Sequence, residues 1–182
     1  MEYIDVLNEN GVKTGQIMSR DEIHEKGLWH RAVIGVIVNS ENKILIQKRA
    51  KEKEKFGGLY DLSVAGHISS GEDAVTAINR ELNEEVGYLV NRNVKLKDYR
   101  FLTSFINRCE YESKGKRYFE NQFMELFVIH YDEDNIDLKL NDGEVEDIKW
   151  MDFFEIKKLK EQNKLHPRTE WIDEVFNYLN RL

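Results

Sequence analysis

The chain carries few of the features that would stabilise a fold from outside its own core. It has a single cysteine, Cys109, in 182 residues, which excludes an intramolecular disulfide and any metal site built from several thiolates. That scarcity agrees with a reducing compartment, and nothing near Cys109 in sequence marks an activated thiol. The only proline is Pro167, and no repeat, low-complexity tract or linker interrupts the chain, so residues 1–182 are expected to form one continuous domain. No apolar run approaches the ~18 residues needed to span a bilayer. The opening MEYIDVLNENG carries acidic groups where a signal peptide needs basic ones, so a cytoplasmic location is expected. Positive charge is also short, with 27 Lys and Arg against 34 Asp and Glu and a net charge of -7. That balance argues against nucleic acid and anionic membranes as partners. It leaves small anionic substrates open, because bound cations and a few local Lys and Arg residues can hold a phosphate. The one conspicuous basic run is Lys48, Arg49, Lys51, Lys53 and Lys55, which suits a solvated turn or a phosphate-attracting rim equally well.

With 41% apolar and 34% charged residues, the composition is that of a soluble globular protein with a sizeable core. EYIDVLN and VKTGQIM, joined at Asn10-Gly11, read as an N-terminal β-hairpin with a tight turn. A short polar helix over Asp21–Lys26 is expected to end at Gly27. RAVIGVIV and KILIQKR are β-rich runs expected to be central strands. Two long strands, about Lys95 to Arg108 and Arg117 to His130, flank a turn over Ser113–Lys116. In the second of them, alternation places Glu120 and Gln122 on the same face. VEDIKWM reads as a further strand, and DFFEIKKLKEQ and RTEWIDEVFNYLNRL as amphipathic helices. The expected fold is an α/β sandwich, with helices covering a mixed central β-sheet.

The stretch Gly66 to Tyr88, GHISSGEDAVTAINRELNEEVGY, stands out chemically. At 3.6 residues per turn, Glu81, Glu84 and Glu85 fall on one side of a helix. Like charges at this spacing cost a helix about 0.2–0.5 kcal/mol each, so the arrangement points to a bound cation. Ser69 and Glu72 have capping-box spacing, Gly87 suits a left-handed C-terminal cap, and Ala74, Val75, Ile78, Leu82 and Val86 form a core-facing stripe.

Gly66, Glu72, Arg80, Glu81, Leu82, Glu84, Glu85 and Gly87 match the Nudix box, G-x5-E-x7-R-E-U-x-E-E-x-G-U, at every fixed position, with Tyr88 where an aliphatic residue is usual. The chain therefore resembles the Nudix superfamily. The resemblance implies an α/β/α sandwich and a loop–helix–loop site for Mg²⁺ or Mn²⁺. It also implies hydrolysis of a diphosphate linkage in a small-molecule substrate, a nucleoside diphosphate joined to another moiety. Carried over, Glu81, Glu84 and Glu85 with the carbonyl of Gly66 are metal ligands, and one carboxylate also serves as base. Arg80 holds the carboxylates by ion pairing.

A second resemblance runs over nearly the whole chain. DVLNENGVKTG, His24, LWHRAVIGVIV, GLYDLSVAGH and YFENQF are similar to the isopentenyl-diphosphate isomerase branch of that superfamily. In that isomerase three His and two Glu hold a metal, and a Cys and a Glu move the protons. His24, His30, His67 and Glu120 fall at four of the metal positions. Ala65 stands in place of the cysteine and Gln122 in place of the second glutamate, and neither can transfer a proton. The complete box and the missing isomerase groups favour a hydrolase on an isomerase-like scaffold. Isomerisation and non-hydrolysing nucleotide binding are the alternatives.

Outside the box, Glu120 is the best-placed additional metal ligand or base, with Glu144 and Glu146 weaker candidates. Arg49 at the end of its strand and His67 directly after Gly66 are candidate substrate-binding residues. His24 is expected to face solvent and His30 to be packed, and neither His130 nor His166 has a role. Homodimerisation through the N-terminal hairpin is possible within this reading.

Overall fold

The computed structural model describes residues 1–53, 56–86, 99–113, 115–131, 143 and 145–181, with the side chains of residues 85, 86, 113 and 170 outside the description. Its elements are β1 (Tyr3–Leu7), β2 (Lys13–Ser19), α1 (Arg20–Lys26), β3 (Trp29–Val38), β4 (Ile44–Arg49), β5 (Tyr60–Asp61), β6 (Val64–His67), α2 (Ala74–Val86), β7 (Tyr99–Ser113), β8 (Lys116–His130), β9 (Val145–Met151), α3 (Phe153–Glu161) and α4 (Glu170–Leu179). The expected Gly87 cap, Tyr88 and Glu144 lie outside the described residues.

β3 is the axis of the mixed sheet. Its run from Ala32 to Val38 is buried throughout, Gly35 included, as a strand covered on both faces requires. β8 pairs with it in parallel from Trp29↔Asn121 to Val38↔His130. β6 pairs on its other side, antiparallel, from Ala32↔His67 to Gly35↔Val64. β7 continues outward from β8. β3 and β4 are both central, as expected, but they meet only at Val38↔Ile44. β4 then runs between β9 and β5. A β-carbon on Gly35 would stand 2.7 Å from Val64 Cγ1, so the absence of a side chain allows β6 to pack there.

Alternating residues of β3 feed two cores. Ala32, Ile34, Val36 and Val38 pack with Met124, Leu126, Val128, Ile156 of α3, and Trp171, Ile172 and Val175 of α4. Val33 and Ile37 face the other way, onto Ala77, Ile78 and Leu82 of α2. Helices therefore cover both faces, which makes the expected α/β/α sandwich.

Three local expectations are corrected. The hairpin β1–β2 forms, but its connection is the longer loop 8–12 rather than a two-residue turn, because the Asn8 side chain accepts hydrogen bonds from the backbone N–H groups of Asn10 and Val12 at 3.0 Å each. The second concerns the start of α2. Ser69 N–H donates to Glu72 Oε2 at 3.1 Å, but this closes a turn ahead of the helix. The helical start is capped by Asp73, whose Oδ1 accepts from Thr76 N–H at 2.8 Å. The third is β7, which runs to Ser113, past the expected end at Arg108. α1 agrees with expectation: Ser19 and Glu22 form a capping box, and Gly27 ends the helix at φ 63°.

Candidate functional site

The site is built around a contact between strand and helix. Gly66 on β6 lies so close to α2 that a β-carbon there would stand 1.9 Å from Glu81 Oε1, so only glycine lets the carboxylate reach the strand backbone. Arg80, the neighbour of Glu81, ties together everything around it. Its Nη1 donates to Glu81 Oε1 at 2.7 Å, and its Nη2 donates to the carbonyl of His67 at 2.9 Å. Its Nε and Nη2 fork onto the two oxygens of Glu72 at 3.0 and 3.1 Å. Glu84 Oε2 lies 3.6 Å from Nη1. One guanidinium thus fixes the start of the loop, its end and the helix carboxylates, with the planar fork geometry that suits Arg for this role. Burial pushes the Glu81 carboxyl up to about 7 against the pull of Arg80. A carboxylate so desolvated is stabilised as an anion by a nearby cation.

A cleft of about 570 Å³ opens beside this contact and is lined by Gly66, His67, Glu81 and Glu84 on one side and by Glu120 and Gln122 of β8 on another. Glu120 and Gln122 share a face, as alternation requires. Arg49 also lines the cleft. It follows a register shift in the β4–β9 pairing at Lys48/Arg49, the kind of irregularity that re-aims a side chain. Of the candidates, the structure brings Glu81, Glu84, Gly66, Glu120, Arg49 and His67 to one cleft, with Arg80 behind them. Glu85 is on α2, but its side chain is outside the described residues. Glu146 is not in the cleft lining and lies 3.3 Å from Lys48 Nζ and 3.8 Å from Lys51 Nζ.

His24 was expected to face solvent, but it is 4% exposed. It occupies the inner side of α1 beside buried Ile23, and its ring meets two others. His24 on α1, His30 on β3 and His67 on β6 present ring nitrogens within 4.8 Å of one another. His24 Nε2 and His67 Nε2 are 3.2 Å apart. His30 Nδ1 faces the carbonyl of Leu28 at 3.0 Å. A carbonyl only accepts, so this nitrogen carries the proton and Nε2 offers its lone pair. Burial lowers the pKa of His30 and keeps it neutral. Gln122 Nε2 lies 3.3 Å from His30 Nε2 and 3.4 Å from His67 Nε2, while its Oε1 accepts from Asn107 Nδ2 at 2.8 Å. The trio offers the imidazole nitrogens that transition metals favour, and Gln122 adds an amide where a carboxylate would add charge.

The sequence reading missed a third wall. His166, given no role from sequence, lines the cleft together with Phe56 and Arg168. The segment carrying it is stitched to β5 by Tyr60 N–H to the Lys164 carbonyl at 2.9 Å and His166 N–H to the Tyr60 carbonyl at 2.7 Å. Phe56 and His166 meet edge to face with centroids 4.4 Å apart. Burial pushes His166 down to about 4. The one signal in the sequence was the only proline, in LHPR, which marks a rigid turn after α3. His130 stays outside the cleft, with Nε2 3.0 Å from the Tyr178 hydroxyl. No helix of the described residues is long and apolar enough to cross a membrane.

The profile of the NUDIX domain matches residues 28–172. An uncharacterized Nudix hydrolase of Listeria monocytogenes is 31% identical over 180 residues, which cover 99% of this chain and 96% of that protein. Nudix hydrolase 3 of Arabidopsis thaliana is 34% identical over 129 residues, 70% of this chain but only 16% of that longer protein. An isopentenyl-diphosphate Delta-isomerase of Photorhabdus laumondii is 30% identical over 159 residues, 87% of this chain and 82% of its own. Among solved structures, DR0079 from Deinococcus radiodurans superposes with a TM-score of 0.69 at 21% identity, covering 97% of this chain and 98% of its own, which shows the shared fold. Matched over most of its length by the domain profile, and built around an intact box that joins Gly66 to Glu81, the chain belongs to the Nudix family and is a Nudix pyrophosphohydrolase.

Proposed function

We propose that the protein hydrolyses a diphosphate linkage in a nucleoside diphosphate or a nucleoside diphosphate joined to another moiety, with Mg²⁺ or Mn²⁺ as cofactor. The observation that carries this reading is the Arg80-braced carboxylate pair at Gly66, opening onto a cleft that also holds Glu120 and Arg49. Glu81, Glu84 and Glu85, with the Gly66 carbonyl and Glu120, would hold the cation. The donor set fits, since hard divalent ions take oxygen ligands and share them with substrate phosphates. When bound, such a cation polarises the phosphoryl oxygens, activates a water and neutralises charge on the leaving phosphate.

The rest is the work of the chain's own side chains. Arg80 keeps Glu81 and Glu84 from turning away from one another's charge. The same pair supplies the base that takes the proton of the attacking water, since carboxylates in reach of the water are suited to that role. Arg49 and His67, which line the cleft, would contact the substrate. The buried His24, His30 and His67 trio favours the isomerase reading, but Ala65 and Gln122 line the same cleft where that chemistry needs a thiol and a carboxylate. The residues therefore favour water, not a carbon-bound proton, as the reacting partner. A cytoplasmic setting fits the single cysteine and the substrate class.

The test is release of phosphate, pyrophosphate or nucleoside monophosphate from a panel of nucleoside diphosphate derivatives with Mg²⁺ or Mn²⁺. Turnover is expected only with metal and is expected to disappear in Glu84→Gln and Glu85→Gln. Full activity in either variant would remove the metal assignment.

A further inference from the structure

One cation on the cleft wall is poorly satisfied. The Arg168 side chain is only 14% exposed, yet its Nε is buried with no hydrogen-bond partner among the described residues. Its nearest described carboxylate, Asp61 Oδ2, lies 3.8 Å from Nη2, beyond hydrogen-bond length. That oxygen also faces Arg49 Nη1 at 3.5 Å, while Asp61 Oδ1 accepts from Leu62 N–H at 2.9 Å. Asp61 is thus shared, and it does not saturate the Arg168 fork.

The backbone at Arg168, by contrast, is pinned at both ends. Its N–H donates to His166 Nδ1 at 3.1 Å, and its carbonyl accepts from Trp171 Nε1 at 3.1 Å. Trp171 is 1% exposed, so this anchor belongs to the core. A guanidinium kept for structure alone would be expected to use its donors, since a buried unpaired donor is costly. Here the chain fixes the root of the side chain, and the head is left with unused capacity on the wall of the cleft.

The surroundings indicate what such a head would bind. Arg49, Lys53 and Arg168 line the same cleft as Glu81, Glu84 and Glu120, as do Arg20 and Arg108. A diphosphate held by cations at the carboxylates would carry its second phosphate into the same cleft, where these basic side chains can meet it. Resting on the reading of this cleft as a diphosphate-hydrolysing site, we propose that Arg168 is a specificity-determining residue that binds an unesterified terminal phosphate of the substrate. The protein would then prefer nucleoside di- or triphosphates to diphosphates capped on both sides. Guanidinium fits a phosphate with two parallel N–H donors, which an ammonium cannot reproduce.

The binding test uses methylenediphosphonate, a diphosphate analogue that cannot be hydrolysed, titrated with Mg²⁺ into the wild-type protein, Arg168→Gln and Arg168→Lys. Arg168→Gln is expected to weaken binding tenfold or more and Arg168→Lys severalfold, with melting temperatures within a few degrees of wild type. Wild-type affinity in a folded Arg168→Gln protein overturns the proposal. If that variant does not fold, Arg168→Lys decides in the same way. The kinetic test compares a nucleoside diphosphate with the same nucleoside diphosphate joined to a neutral sugar and to a sugar acid. In Arg168→Lys, KM is expected to rise for the free diphosphate alone, with kcat nearly kept. An equal rise for all three, or a rise only for the sugar acid, overturns the terminal-phosphate assignment. The binding arm needs no turnover, so absence of hydrolysis would count against the proposed reaction and leave the Arg168 result to stand on its own.

Discussion

Glu81 touches the backbone of Gly66, and a single added carbon on residue 66 would fall 1.9 Å from the carboxylate oxygen. The contact joins α2 to β6 at the point where the cleft opens, so packing and chemistry depend on the same atoms. Gly66→Ala is therefore expected to push Glu81 aside. Overpacking of this kind costs about 1–3 kcal/mol. A lower midpoint in urea denaturation, together with loss of nearly all metal-dependent turnover, is the expected result, and an alanine variant with wild-type kinetics would disprove the contact.

Arg80 is the shared partner of Glu72, Glu81 and the His67 carbonyl. Arg80→Gln should leave the carboxylates in the chain but unaligned. Residues that orient metal ligands typically change metal affinity or activity by about 10–100-fold. A Mg²⁺ titration of activity is expected to shift its midpoint upward by that order, and Arg80→Lys to recover only part of the loss.

The same ion pair predicts an acid-sensitive stability. Hydrogen bonding from Arg80 lowers the Glu72 carboxyl below its ordinary 4.5. The unfolded chain therefore takes up this proton at higher pH than the folded one. The stabilisation is fully present above about pH 4.5 and is lost as pH falls through the lowered folded value. Denaturation midpoints measured from pH 7 to pH 3 should drop less steeply in Glu72→Gln than in the wild type.

Two residues compete for the start of α2, and the structure gives the role to Asp73. Asp73→Ala should cost about 0.5–2 kcal/mol, the usual loss for a removed helix cap. Ser69→Ala removes a hydroxyl that donates to Glu2 Oε1 at 3.3 Å and should cost less. Thermal melts of the two variants would reverse this assignment if Ser69→Ala proved the more damaging.

Gln122 bridges His30, His67 and Asn107 from a nearly buried position, 3% exposed. Gln122→Leu would take the amide away from His30 Nε2 and Asn107 Nδ2, and an unsatisfied buried polar group costs about 1–3 kcal/mol. A fall in stability of that size is expected in chemical denaturation. The wild-type protein should also show no proton exchange into isopentenyl diphosphate at saturating metal, and observed exchange would restore the isomerase reading.

Much of the site could be read from spacing because its parts lie close together in the chain. The glutamates of α2 and Gly66 fall within a short stretch where helical geometry fixes the neighbours. Alternation likewise put Glu120 beside Gln122. Ser69 and Asp73 were harder, since both are good capping residues. Glu72 accepts from Ser69 N–H, as a helix-starting box would have it, and also takes the fork of Arg80, but the helix begins only after Asp73. His24 was misread because which side of a seven-residue helix turns inward is decided by packing partners, and its own polar sequence carries no such stripe. His166 and Arg168 were missed altogether. Their position depends on the bridge between Tyr60 and Leu165, a pairing across more than half the chain that no local pattern announces.

The parallel pairing of β3 with β8 also bears on how the protein is assembled. Trp29 must find Asn121, and a long loop has to close before that contact returns any free energy, which makes such pairings slow. The segment from β3 through α2 closes over a shorter stretch of chain, since Ala32 pairs with His67 and α2 comes straight after β6. The glutamate half of the cleft can thus be organised while the chain is still arriving, and Glu120 and Arg168 close it afterwards. Divalent cation present during refolding should accordingly speed the early phase and leave the final closure unchanged.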